Sequence, residues 1–101
     1  MEKEYYFVGT ELKFALTIEC EGFTMDDDPW TATVKRGSRK VVCQRGENSV
    51  KDDDQWYILV DSSLLGKGEC ELVIDIDVPD PDFEDGYRHE VWRKEFFMVL
   101  R

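Results

Sequence analysis

Acidic side chains are the most numerous candidates for chemistry. Asp26-Asp27-Asp28, Asp52-Asp53-Asp54 and the series Asp75, Asp77, Asp80, Asp82, Glu84, Asp85 supply hard oxygens, and calcium takes roughly six to eight of these. An EF-hand loop starting at Asp80 fails, because its glycine comes one place late, as Gly86, and its final position is Val91. A calcium site would need several such loops to converge; otherwise they are solvated caps on strand ends. The three thiols, Cys20, Cys43 and Cys70, contain no C-x-x-C pair, and His89 is the single histidine. A zinc site is therefore not expected, and the cysteines read as small core residues. Cys43 stands beside basic residues, which favours a thiolate only in an exposed thiol, and no base accompanies it. Ser62 and Ser63 lack a nucleophile-elbow context, and no phosphate-cradling glycine loop occurs. No catalytic residue, cofactor or metal ligand is assigned, so the expectation is a protein that is not an enzyme.

Charge and aromatic residues point to surfaces instead. The 101 residues carry 13 Lys+Arg against 23 Asp+Glu, a formal net charge of −10. That balance disfavours nucleic acid and anionic membranes as partners. Lys35, Arg36, Arg39, Lys40 and Arg45 form a basic segment with no acid between residues 35 and 45, whereas residues 69–85 hold eight acids and no base. Such a chain is suited to head-to-tail self-association or to docking on a charged protein subunit. Trp30, Trp56, Trp92, Tyr57 and Tyr87 are candidates for a sugar platform or, more simply, for the core. Near the C-terminus, Trp92, Phe96, Met98 and Leu100 alternate with Val91, Phe97 and Val99. Apolar residues on both faces predict a bulge or a face covered by a partner, which makes Trp92 and Phe97 candidate contacts.

The elements that position these groups follow a period of two. Leu12, Phe14, Leu16, Ile18 and Cys20 occupy one face of a strand, with Glu11, Lys13, Thr17 and Glu19 on the other. Trp30, Ala32 and Val34 repeat the pattern, and a turn at residues 36–38 leads into a strand over 41–43, forming a hairpin. Further strands are predicted over 4–8, 55–61, 70–78 and 88–100, with 55–61 covered on both faces. No ten-residue segment shows a helical period, and no apolar run approaches the ~20 residues of a membrane-spanning helix. Seven short antiparallel strands in one domain, residues 1–101, predict an all-β, immunoglobulin-like sandwich, with a small barrel as the competing architecture. The order Cys20, Trp30, Cys70 mimics the antibody pattern, but Cys20 ends one strand and Cys70 begins another that runs in the same direction. The sulfurs then lie near opposite ends, and no disulfide between them is expected. The N-terminal residues lack the apolar stretch of a secretory signal, so cytoplasmic synthesis is expected.

Three stretches resemble a known family. Trp56-Tyr57-Ile58-Leu59-Val60-Asp61-Ser62-Ser63-Leu64-Leu65-Gly66-Lys67-Gly68 is similar to the strand and glycine-x-glycine segment of small immunoglobulin-like domains from bacteriophage and prophage tails. Val78-Pro79-Asp80-Pro81-Asp82-Phe83-Glu84-Asp85-Gly86-Tyr87-Arg88-His89-Glu90-Val91 resembles a loop of the same domains, and Phe23-Thr24-Met25-Asp26 resembles the segment leading to their tryptophan strand. Such domains are similar to the N-terminal module of upper-baseplate proteins. The resemblance implies a non-enzymatic structural module of a phage-like tail, incorporated into a particle and contacting other protein subunits. The alternative expectation is a loop-based sandwich that binds a glycan or calcium. Asp80, Asp82 and Asp85 are suited to bonding loop amides, Gly86 to a left-handed turn, and Arg88 to clamping Asp82 or Asp85.

Overall fold

The structure, a computed structural model, describes the backbone of residues 5–99 and the side chains of residues 5–94. Eight strands run in chain order: β1 (Tyr5–Phe7), β2 (Glu11–Leu16), β3 (Trp30–Arg36), β4 (Arg39–Gln44), β5 (Ser49–Asp52), β6 (Gln55–Asp61), β7 (Gly68–Pro79) and β8 (Tyr87–Val99). Among the described residues, one 3-10 turn, η1 (Ser62–Leu64), follows β6. The strands form two sheets, ordered β1-β8-β7-β3-β4 and β2-β6-β5. In immunoglobulin lettering these are G-F-C-C′ with a short added edge strand, and B-E-D. The all-β, immunoglobulin-like sandwich expected from the alternation is therefore the fold.

Alternation works because it sorts side chains between solvent and the space between the sheets. Trp30, Ala32 and Val34 face inward from β3, opposite Ile76, Ile74 and Leu72 of β7. Leu12, Leu16, Ile58 and Val60 cover them from the second sheet. Trp30 is 4% exposed, its indole N–H donates to the Met25 carbonyl at 2.9 Å, and its ring meets Trp56 edge-on at 5.6 Å. The tryptophan of the C strand is thus a core residue with its one polar atom satisfied.

Four expectations require correction. First, β5 was not expected: its Ser-Val-Lys-Asp sequence has no apolar alternation, and Val50 is 40% exposed at the sheet edge. Its hairpin to β6 turns on Asp53 and Asp54, at φ 50° and 66°, a pair that matches a twisted two-residue turn. Second, β2 ends at Leu16 although inward alternation continues through Ile18. The Gln55 side-chain amide takes the Leu16 carbonyl at 3.1 Å, replacing the next ladder bond. Third, β6 buries only one row, Ile58 and Val60; Leu59 is exposed, and Tyr57 lies under the Lys13 ammonium at 4.5 Å. Fourth, β7 and β8 pair without interruption from Gly68↔Met98 to Pro79↔Tyr87, so no bulge occurs. In addition, β1 joins β8 in parallel, because the chain crosses to the other sheet between β1 and β2.

Candidate interaction surfaces

The reactive side chains do not converge. Cys43 is fully buried, and desolvation pushes its thiol up to about 11, which removes any thiolate at neutral pH. Cys70 is also buried. Cys20 is half-buried and donates to the Glu90 carboxylate at 3.2 Å, a contact that holds the thiol above its usual range. Glu90 opposes Ile76 while Cys70 opposes Phe96, so the two cysteines lie roughly 20 Å apart along the β7–β8 ladder. Cys20 and Cys70 are not joined in a disulfide, in keeping with the strand directions. His89 bonds Asp77 through Nδ1 at 2.9 Å and Asp75 through Nε2 at 3.3 Å on the outer face of the larger sheet. Among the described residues, no group of three or more His, Cys, Asp or Glu is placed to hold a metal ion. The tryptophans make no flat platform: Trp30 is buried at 71° to Trp56, whose indole donates to Asp26 at 3.1 Å.

The loop between β7 and β8 is tightly organised. The Asp80 amide donates to the Gly86 carbonyl at 2.9 Å, and the Gly86 amide donates to the Phe83 carbonyl at 2.9 Å. Asp80 Oδ1 accepts from the Asp82 amide and Asp85 Oδ1 from the Tyr87 amide, both at 3.0 Å. Gly86 has φ 83°, as a left-handed turn requires. Arg88 does clamp this loop, but not through Asp82 or Asp85. It bonds Asp80 at 2.9 Å and Glu90 at 3.2 Å. Glu90 is two residues along on the same face of β8, while the carboxylates of Asp82 and Asp85 lie on exposed residues. Phe83 is 48% exposed on this loop, and Tyr87 is 42% exposed where it ends. Tyr87 is expected from the sequence as a contact only in a sugar platform and Phe83 in no contact; the visible signal for Phe83 is an aromatic residue among acids outside any alternating run.

At the opposite end, the basic hairpin divides into two groups. The Arg36 guanidinium donates to the Leu65 carbonyl and passes over Gly66 and Gly68. A Cβ at Gly68 would stand 3.2 Å from Arg36 Cδ, and Gly68 has φ +128°, so glycine is needed there twice over. Lys35 pairs with Glu71 at 3.5 Å, and Arg93 holds the same carboxylate at 2.7 Å. Arg36 and Lys35 are thus engaged within the domain, whereas Arg39 and Lys40 are exposed. Of the aromatic contacts expected on β8, Trp92 is half-buried and packs against the core instead. Phe97 lies outside the described side chains; its backbone pairs with Tyr5 and Glu69.

Folding brings sequence-distant charges together. The connections 17–29, 45–48, 53–54 and 80–86 share one end of the sandwich and carry twelve acidic residues against one base, Arg45. Arg45 ties two of these loops by donating to the carbonyls of Met25 and Asp28 at 2.8 and 3.0 Å. The connections at the other end, 8–10, 37–38 and 62–67, carry one charged residue, Lys67, beside the basic hairpin and the strand-end acids Glu11, Asp61 and Glu69. Charge is therefore separated along a body 49 Å long. Comparison with protein-family models, with curated proteins and with solved structures returns no match to this chain.

Proposed function

We propose that this chain is a non-enzymatic structural and protein-interaction module, joined to other protein subunits through its differently charged ends. The observation that supports this reading is the charge separation along the long axis. It favours docking in a defined orientation and suppresses wrong partners. The setting proposed, a phage-like tail or baseplate assembly encoded by a prophage or mobile element, rests on the three sequence stretches that resemble tail domains, above all the two longer ones. Those stretches build the η1 region and the β7–β8 loop: Asp61 caps η1 by accepting from the Ser63 amide at 3.0 Å, and Asp80, Asp85 and Gly86 shape the loop. Native co-purification from the source cell tests the reading. Recovery of tail subunits in stoichiometric amount supports it. A chain recovered alone, with a melting temperature raised by calcium or a glycan, overturns it in favour of ligand binding.

A further inference from the structure

The regular antiparallel register of the basic hairpin sets like charges opposite one another. Lys35 stands directly opposite Lys40, and Arg36 directly opposite Arg39, an arrangement that costs stability through like-charge repulsion. Within the domain, Glu71 answers Lys35 and the Leu65 carbonyl answers Arg36. Arg39 and Lys40 face solvent, and the Arg39 guanidinium lies over Gly66, two residues after Leu64 of η1, which is 57% exposed. A basic surface with an apolar residue at its edge fits an acidic partner that presents an apolar side chain of its own. The β7–β8 loop at the other end of the same molecule has that chemistry: Phe83 is 48% exposed among Asp82, Glu84 and Asp85, on a backbone held by its own hydrogen bonds. A preorganised loop loses little conformational entropy on docking.

We infer that the partner of the basic end is the β7–β8 loop of a second copy, so that the chain associates head to tail. The inference rests on the interaction-module reading and names its partner. Different patches meet in such a contact, so it is heterologous and propagates into a ring or filament instead of stopping at a dimer.

Electrostatics give the contact an unusual salt dependence. Two bodies of charge −10 repel as wholes, but at about 0.15 M salt the screening length is only ~8 Å. That screens the repulsion between centres one body length apart, 49 Å, and leaves close pairs at the contact. Near 1 M salt the screening length falls to ~3 Å and the pairs weaken as well.

Sedimentation velocity of the full chain over a concentration series, at about 10 mM, 150 mM and 1 M salt, tests the proposal. Species larger than dimers are expected, with association strongest at the middle salt. Phe83→Ser and the double variant Arg39→Glu/Lys40→Glu are each expected to weaken self-association at least about tenfold. Their equimolar mixture should form a dimer that grows no further, since each variant keeps one intact end. Unchanged thermal melts show that these surface variants remain folded. A wild-type chain monomeric at all three salts, or a Phe83→Ser variant that associates normally, overturns the head-to-tail contact. Co-purified tail subunits in that case leave the interaction-module reading standing.

Discussion

Ser62→Ala offers a sharp test of how the two sheets are joined at the basic end. Ser62 is the only fully buried polar residue among the described side chains. Its hydroxyl accepts from the Gly9 amide at 2.9 Å and donates to the Thr10 carbonyl at 2.6 Å. The connection between β1 and β2 is thereby fastened to η1, where the chain crosses from one sheet to the other. Alanine removes both bonds. Each is worth about 1 kcal/mol net, and an orphaned buried donor such as the Gly9 amide costs about 1–3 kcal/mol. The Thr10 carbonyl keeps the Ser62 amide at 3.3 Å, which limits the loss. The expected destabilisation is therefore about 2–3 kcal/mol, or roughly 8–20 °C in melting temperature for a domain of this size. Urea titration should show the midpoint falling by roughly 1–2 M at unchanged slope, and the Gly9 amide should exchange faster. Ser63→Ala is the control: Ser63 bonds Asp61 on the exposed side of η1, at 2.7 Å, and its loss should cost no more than about 0.5–1 kcal/mol. A Ser62→Ala variant within about 0.5 kcal/mol of the parent, below the worth of a single net hydrogen bond, would refute the reasoning.

Further outcomes follow from other sites. In the native protein, Cys43 and Cys70 should resist thiol reagents, and Cys20 should react slowly at neutral pH because Glu90 raises it; rapid modification of Cys43 would contradict its burial. His89 is raised above the ordinary imidazole value of about 6.5, first by the hydrogen bond to Asp77 and also by Asp75. The folded state therefore holds the proton more tightly than the unfolded chain. The resulting stability is fully present below about pH 6.5 and is lost as pH rises through the folded value. The ring's 58% exposure limits this contribution to about 1 kcal/mol or less. Subtracting melts of His89→Gln from those of the parent across neutral pH isolates it, and a difference that grows with rising pH would reverse the assigned sign. Gly68→Ala should cost more than about 1 kcal/mol. Adding Arg36→Ser should restore only the part due to crowding, because the positive φ remains; full rescue in a urea titration would show that φ imposes no cost.

Sequence legibility varied with the physical origin of each feature. The strands β2, β3 and β7 were visible because burial of one face imposes alternation on the residues themselves. β5 was not, because a polar edge strand held mainly by backbone bonds to β6 leaves no such trace. Of the three aspartates expected to bond loop amides, Asp80 and Asp85 do so through near neighbours, and such local bonds are legible in the sequence. The partner of Arg88 was misassigned. Its choice of Asp80 and Glu90 depends on the exit angle of β7 and on which side chains share a face of β8. Trp92 looked like a contact because its strand is apolar throughout, and only the pairing with Ile74 places it against the core.

By itself, the order of residues determined an all-β chain, an acidic balance, a basic hairpin and a set of acidic loops. Periodicity, charge and turn chemistry are properties of neighbours along the chain. Only the tertiary structure decided that four separate acidic connections share one end and the basic hairpin occupies the other. It also decided that Arg36 serves the fold while Arg39 and Lys40 face outward. Those outcomes follow from strand direction and sheet order, which bring distant residues together through burial of a common core and cannot be computed from local spacing.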